Sequence, residues 1–234
     1  DRNSFQYIKL KAPSGANVAR NTGVELATSD VIAFLDDDDV WDEDYLEQHL
    51  EALQTADAVT CGFRFLENPE KTRINPIVDI TQEVIKNGNK FCGMSGVTCK
   101  AELAKKLKFD VELKNSQDWD FFVRIALEGA KFVNIPKPIY NYRRGHVSIS
   151  TEVKNMPIEK VYPRLKAFKK HRAFLGSHAY SERVSEQVLS FIGDKSNKWQ
   201  WINVSVKEAG LVATWNALIM RRLLPKLLGG RNSK

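Results

Sequence analysis

The chain has 234 residues, 43% of them apolar, which is enough for one ordinary domain with a smaller appendage and excludes a disordered or fibrous protein. It contains no run of about eighteen apolar residues and starts with the polar residues 1–4, so we predict neither a membrane-spanning helix nor a signal peptide. Residues 1–150 hold 19 Lys and Arg against 23 Asp and Glu, whereas residues 151–234 hold 16 against 6, so the net charge of +6 divides into −4 and +10. A net positive charge confined to the last third argues against a nucleic-acid-binding core.

The first predicted unit is strand, helix, strand. Residues 5–10 alternate as a strand does, Pro13 to Gly15 interrupt it, and a helix follows through about Thr28. The apolar run from Val31 to Leu35 then predicts a buried strand that carries Asp36 at its end. Such units are nearly always right-handed and parallel, so we expect these two strands to be parallel.

The middle of the chain alternates helices, strands and loops. We predict helices over 42–55, 81–87, 101–107 and 117–127, strands over 58–66, 131–135 and 139–143, and a loop with one edge strand over 67–80. Gly93, Ser95 and Gly96 are small enough to let a ligand or another backbone approach, although an ordinary turn is as good an interpretation. Cys61, Cys92 and Cys99 lack the spacing of a zinc site and are interpreted as reduced core thiols.

The last third is predicted to be helical and basic. Apolar residues alternate with cations over 158–173, and helices are also predicted over 180–192 and 202–224. The end of the chain, from Trp215 to Leu228, combines an apolar stripe with cations. Such a segment could lie on an anionic membrane surface or pack on protein, and the sequence does not choose between the two.

Four consecutive carboxylates, Asp36 to Asp39, follow the buried strand at once. Like charges this close repel, and folded proteins tolerate them with a bound cation or several hydrogen-bond donors nearby. A solvated acidic loop is the alternative interpretation. The end of a strand is where open α/β sheets bind ligands, which favours a site.

A second group of polar residues opens the helix over 117–127. Arg124 is spaced to pair with Asp120, which leaves Asp118 without an obvious structural partner and makes it a candidate general base for a hydroxyl. Further along, Arg143 and Arg144 offer guanidinium groups to phosphate oxygens, and His146 offers an imidazole to a divalent metal. A lone histidine is as often structural.

The order of four motifs resembles the family 2 inverting glycosyltransferases of the GT-A fold. They are Gly15 to Gly23, Phe34 to Asp39, Gln117 to Asp120, and Tyr142-Arg143. The resemblance covers about residues 5–150. It implies an α/β, GT-A-like (Rossmann-related) fold with a mixed, mainly parallel sheet flanked by helices, followed by a helical C-terminal region. The corresponding division is a catalytic domain over 1–150 and a basic helical region over 151–234.

The resemblance also implies a function and its cofactors. It implies that a sugar passes from a nucleotide-diphosphate donor, a UDP-sugar in the commonest case, to an acceptor hydroxyl with inversion, assisted by Mg²⁺ or Mn²⁺. Cell-surface polysaccharide or glycolipid synthesis is the expected setting, with a glycan or lipid-linked acceptor. The expected location is the cytoplasm, with the inner face of the membrane as a possible contact.

Site residues are carried over by position. Asp118 matches the catalytic base, and Gln117 replaces the glutamate that often precedes it. The nucleotide or diphosphate would be contacted by Arg20, Asp36, Asp37, Asp38, Arg143 and Arg144. The metal would be held by Asp36, Asp38 and His146.

The amino end departs from the family pattern. The family's first strand, helix and strand, which carry the base-binding pocket, have no counterpart ahead of Phe5. On the sequence alone we therefore expect an incomplete nucleotide-binding half and weak nucleotide binding. A non-catalytic glycan- or nucleotide-binding remnant of the same fold remains the alternative function.

Overall fold

The structure is a computed structural model that describes residues 5–11, 14–144, 156–195 and 197–220. Its strands are β1 (Val31–Ala33), β2 (Val40–Trp41), β3 (Ala58–Phe65), β4 (Asn68–Arg73), β5 (Val97–Lys100) and β6 (Phe132–Tyr142). Its helices in the first part are α1 (Ala16–Leu26), α2 (Tyr45–Leu53), α3 (Gln82–Lys86), α4 (Ala101–Leu107) and α5 (Gln117–Leu127). Those that follow are α6 (Val161–Arg164), α7 (Lys166–Lys170), α8 (Arg172–Val188), α9 (Lys198–Ala209) and α10 (Leu211–Met220).

One six-stranded mixed sheet with helices around it forms the centre of the molecule, as expected for a GT-A-like α/β fold. The strand order is β1-β5-β3-β6-β2, with β4 paired to β3. The expected predominance of parallel pairing is wrong for the described strands, because only β3 and β6 run parallel. The acidic strand β1 is antiparallel to its neighbour β5, with Ile32 opposite Cys99. Mixed sheets of this kind are common, since strands can reverse at an edge.

Residues 5–10 do not form the predicted strand. The segment has no regular structure, and Phe5 and Tyr7 are 89% and 75% exposed. An alternating pattern indicates a strand only where a neighbouring backbone supplies hydrogen bonds, and no strand of the described residues pairs with this segment. The expected parallel strand–helix–strand unit is therefore absent from the described residues.

The strand β6 continues through two prolines. The sequence predicts two short strands, one on each side of Pro136 and Pro138. In the structure, the pairing of β6 with β3 shifts register between Cys61 and Gly62, and this irregularity accommodates the extra residues of β6. Gly62 makes this possible, because a Cβ there would lie 2.7 Å from the Arg73 carbonyl oxygen and 3.0 Å from that of Lys137. The result is one long strand whose far end reaches the acidic turn.

The C-terminal helices are more broken than predicted. The single helix expected over 158–173 is a 3₁₀ turn at Ile158–Lys160 followed by α6, α7 and the start of α8. α8 itself contains a non-helical Gly176, and the helix expected over 202–224 is divided by Gly210, at φ 87°. Glycine adopts this left-handed conformation without the steric cost other residues meet, so it separates α9 from α10. Residues 221–224 lie outside the described residues.

The hydrophobic core joins the sheet to the C-terminal helices. One buried cluster includes Val24 and Phe34 from the first part and Phe168, Val184 and Leu218 from the last. Trp119 of α5 packs at 5.2 Å from the ring of Phe168. The proposed boundary near residue 150 therefore does not separate two hydrophobic cores among the described residues. All three cysteines are buried free thiols, as predicted.

Candidate active site

The acidic turn after β1 is held by a buried serine. The Asp36 backbone N–H donates to Ser95 Oγ at 3.1 Å, and Trp41 Nε1 donates to the Ser95 carbonyl oxygen at 2.7 Å. Ser95 is fully buried in the short 3₁₀ turn before β5. The small residues around it are needed, because a Cβ on Gly96 would lie 2.7 Å from Cys92 Sγ. The loop from Gly93 to Gly96 thus supports the site, a role that sequence reasoning did not assign to Ser95.

The carboxylates of this turn differ in their surroundings. Burial raises the pKa of Asp39, and the charges of Asp38 and Asp36 raise it further, whereas hydrogen bonds from Ser95 and the Arg143 backbone act in the opposite direction. The Arg143 N–H donates to Asp39 Oδ1 at 2.9 Å, and Arg143 Nε donates to the Asp38 carbonyl oxygen at 2.9 Å. The raised pKa of Asp39 therefore reflects mainly its burial, and a bound cation would relieve the repulsion that Asp38 and Asp36 add.

Arg20 connects the acidic turn to the start of α5. Its Nη2 donates to Asp36 Oδ1 at 2.6 Å, and its Nη1 donates to Gln117 Oε1 at 3.2 Å. The guanidinium also lies 5.6 Å from the centre of the Phe109 ring. Arg20, Gln117 and Asp36 to Asp38 all line one cleft of about 1060 Å³ beside β1. Two motifs about eighty residues apart in the chain are therefore brought to one place.

Asp118 is held next to this cleft by an amide. Its Oδ2 accepts from Asn89 Nδ2 at 2.6 Å, and the same Nδ2 donates to the Cys92 carbonyl oxygen at 2.6 Å. Asn89 is thus the partner of Asp118 that the sequence did not reveal. Unlike Gln117, Asp118 is not among the residues that line the cleft. Successive helical residues point about 100° apart, so the two side chains face different sides of the same helix end.

The helix that carries Asp118 follows a residue in a left-handed conformation and is held by a hydrogen bond on its buried side. Ser116 has φ 54°, a left-handed conformation that is uncommon outside glycine, and its side chain makes no cap hydrogen bond. Trp119 Nε1 donates to the Ile85 carbonyl oxygen at 2.9 Å. The first turn of α5 is therefore fixed on its buried side while Asp118 stays half-buried.

Asp120, one turn behind the cleft, is the centre of a buried charge cluster. It is 1% exposed; its Oδ1 lies 2.7 Å from His171 Nε2 and 2.8 Å from Lys170 Nζ, and its Oδ2 accepts from Arg124 Nε at 3.0 Å. The predicted pairing of Arg124 with Asp120 is confirmed. Burial alone would raise the pKa of Asp120, but hydrogen bonds from His171 and Lys170 and the charge of Arg124 outweigh it and lower the pKa to about 2.

This cluster predicts a loss of stability in acid. A carboxylate whose pKa is lowered by folding stabilises the fold above its unfolded pKa and loses that effect as the pH falls through the folded value. For Asp120 the window runs from about pH 4 to about pH 2, and the loss is about 2 kcal/mol. Urea unfolding across this range measures it. Asp120→Asn should flatten that part of the profile, and an unchanged slope in this variant would contradict the assignment.

The other expected site residues are placed as follows. Arg143 contacts the acidic turn, whereas the Arg144 N–H donates to Glu67 Oε2 at 2.9 Å and its guanidinium lies 4.5 Å from the Phe65 ring centre. His146 lies outside the described residues. Among the residues described, no three His, Cys, Asp or Glu side chains form a group that could hold a metal ion. The oxygen atoms of the acidic turn nevertheless fit Mg²⁺, which commonly takes one or two carboxylates and completes its shell with phosphate and water.

Comparison with known proteins finds a family pattern in the first half of the chain. The sequence pattern of Glycosyl transferase family 2 matches residues 2–109. The amylovoran biosynthesis glycosyltransferase AmsB of Erwinia amylovora is 29% identical over 136 residues, which are 53% of this chain and 45% of AmsB. The chain spans about half the length of the curated relatives it matches.

Solved structures give the same fold. Residues 1–349 of TarS from S. aureus, in complex with UDP-GlcNAc, superpose with a TM-score of 0.53 at 15% identity, over 93% of this chain and 69% of that one. The mannosyltransferase PcManGT from Pyrobaculum calidifontis, in complex with GDP-Man and Mn²⁺, gives 0.50 at 16% identity, over 92% and 62%. Residues 2–109, just under half of the chain, therefore match the pattern of Glycosyl transferase family 2, and the fold is that of the glycosyltransferase structures compared with it.

Proposed function

We propose that this protein transfers a sugar from a nucleotide-diphosphate donor, a UDP-sugar in the first instance, to an acceptor hydroxyl in cell-surface polysaccharide synthesis. The observation that carries the proposal is the bridge made by Arg20, which joins Asp36 of the acidic turn to Gln117 beside Asp118. It places the acidic turn and the start of the helix that carries the candidate base beside one cleft. The complexes of TarS with UDP-GlcNAc and of PcManGT with GDP-Man and Mn²⁺, on the same fold, support a nucleotide-sugar donor.

The roles of the residues follow from charge. Asp36 and Asp38 would hold a divalent cation, which when bound neutralises charge on the departing diphosphate. The Arg20 guanidinium keeps Asp36 in place and competes with that cation for one carboxylate oxygen. Asp37 and Arg143, at the same turn, are the nearest further groups for ribose and phosphate, and Arg144 and His146 stay predictions.

Asp118 would accept the proton of the acceptor hydroxyl. It follows Gln117, which lines the cleft, at the same helix end, and inversion requires the acceptor to approach the donor sugar from the side opposite the diphosphate. Attack from that side inverts the anomeric carbon. The hydrogen bond from Asn89 holds the carboxylate in position for this role.

The function is tested by nucleotide release. UDP- and GDP-sugars are incubated with the protein and an extract of cell-envelope acceptors, with Mn²⁺, with Mg²⁺ and with EDTA. We expect UDP release that needs both acceptor and metal. Metal-dependent nucleotide binding without release from any donor would instead favour the non-catalytic alternative.

A metal-binding variant separates the acidic turn from its neighbours. Asp38→Ala should lower the affinity of the protein for Mn²⁺, measured in the presence of UDP, by about ten-fold, because one of two carboxylate ligands is lost. The retained ion is measured from the loss of the free Mn²⁺ signal in electron paramagnetic resonance. Glu43→Ala, an exposed carboxylate a few residues further along, is the matched control and should change nothing. Equal weakening in both variants would contradict a specific role for Asp38.

A further inference from the structure

Helix α10 turns its large apolar side chains outward. Leu211, Val212, Trp215 and Ile219 are 73%, 75%, 55% and 48% exposed, and their spacing places them on one face. The inward face carries mainly small residues, namely Ala213, Thr214, Ala217 and Leu218. An ordinary surface helix has the opposite arrangement, so this outward apolar face needs a partner.

The orientation of α10 is fixed by polar contacts on its inner side. Thr214 Oγ1 lies 2.8 Å from Ser205 Oγ of α9, in a buried position, and also donates to the Gly210 carbonyl oxygen at 2.8 Å. Turning the helix to hide Trp215 would bring Thr214 to the surface and break its contact with Ser205. The outward apolar face is therefore built into the packing of α10 on α8 and α9.

The charge around this face indicates what it contacts. Residues 209–220 contain no charged side chain, whereas residues 201–234 as a whole hold six Lys and Arg against one acid, Glu208. The supporting helices α8 and α9 also line a cleft of about 470 Å³ with Arg172 and Lys207, where Lys169 pairs with Glu208 at 2.8 Å, so cations outnumber the one acid. An uncharged apolar face among cations, with an outward tryptophan, is the pattern of helices that lie in the interface of an anionic bilayer.

A second copy of the chain fits this face less well. Self-association through α10 would bring together two C-terminal regions that each carry a net charge of +10. Like charges at an interface cost binding energy, whereas an anionic lipid surface gains it. No helix among the described residues is long and apolar enough to cross a membrane.

We propose that the outward face of α10 inserts into the interface of an anionic membrane and holds the protein there. The inference rests on residues outside the candidate active site and goes beyond the proposed sugar transfer. It adds a lipid surface as a binding partner. Trp199 of α9 is a further exposed tryptophan in these helices, at 70%.

Vesicle binding tests this proposal. The protein is sedimented with vesicles of phosphatidylglycerol and phosphatidylcholine, and with vesicles of phosphatidylcholine alone, in low salt and in about 0.5 M salt. We expect binding to the anionic vesicles, weakened by salt, with a blue shift of tryptophan emission. The double variant Leu211→Ser with Ile219→Ser should lower the partition coefficient on the order of ten-fold. Leu50→Ser, which changes a leucine of 48% exposure on α2, is the matched control.

Three results would overturn the proposal. The first is no binding to anionic vesicles, and the second is a loss of vesicle binding in Leu50→Ser as large as that in the double variant. The third is vesicle binding that the double variant leaves unchanged, which would mean attraction by charge alone. Analytical ultracentrifugation tests the alternative that a second copy of the chain covers the outward face of α10. A dimer that the double variant dissociates, without vesicle binding, would assign the face to a second copy. Thermal unfolding confirms that the surface variants remain folded, and none of these readouts depends on a sugar donor.

Discussion

Asp118→Asn should lower sugar transfer by about 10²- to 10⁴-fold, the range that a positioned general base contributes. The amide keeps an oxygen that can accept the hydrogen bond now given by Asn89 at 2.6 Å, so the local structure should persist. It has no basic oxygen to take the acceptor's proton. Donor affinity should stay within about two-fold, because Asp118 does not line the cleft that holds Asp36 and Arg20.

The matched control for this variant is Glu128→Gln. It makes the same carboxylate-to-amide change just beyond the other end of α5, and transfer should be unaffected. Steady-state transfer and donor titration are measured on both proteins. A loss of donor affinity as large as the loss of transfer would show that Asp118 binds the donor, and unchanged transfer would remove it from the chemistry.

Asp120→Ala should lower the free energy of unfolding by about 3–5 kcal/mol, the range for breaking a buried ion pair from one side. The substitution leaves His171, Lys170 and Arg124 facing a site without a counter-charge. Because His171 and Lys170 come from the C-terminal helices, the loss should also loosen their packing on α5. Urea denaturation followed by far-ultraviolet circular dichroism gives the value.

A control and a double-mutant cycle make this prediction specific. Asp110→Ala removes a carboxylate that shares Lys170 at 2.5 Å, but its side chain is 26% exposed, so a smaller loss is expected. A cycle combining Asp120→Ala with His171→Ala should give a coupling energy of about 0.5–3 kcal/mol. Independent, additive effects would show that the 2.7 Å contact contributes little to the fold.

The sequence predicts those features of the fold that depend on local pattern. Helices with a clear apolar stripe, such as α2 and α5, and the buried strand β3 appear within a few residues of their predicted bounds. Local pattern does not predict whether strands pair parallel or antiparallel, because this depends on which strands become neighbours. β1 pairs with β5, which lies more than sixty residues later, and no local pattern encodes that choice.

The site was predictable to a similar extent. Motif order predicted Arg20, the acidic turn and Asp118 as site residues, and helical spacing predicted the pairing of Asp120 with Arg124, which is confirmed. The supporting groups were not predictable, because Asn89, Ser95 and His171 meet their partners across 29, 59 and 51 residues of chain. Each is a common polar residue without a distinctive neighbourhood, and only the folded structure gives it a role.

The most direct test of the central claim is calorimetric titration of the protein with UDP and with GDP, each in Mn²⁺ and in EDTA. If the acidic turn and Arg20 form the donor site, at least one nucleotide should bind in Mn²⁺ and should lose that binding in EDTA and in Asp38→Ala. Absence of binding to both nucleotides in Mn²⁺, or binding that EDTA and Asp38→Ala leave unchanged, would contradict the account.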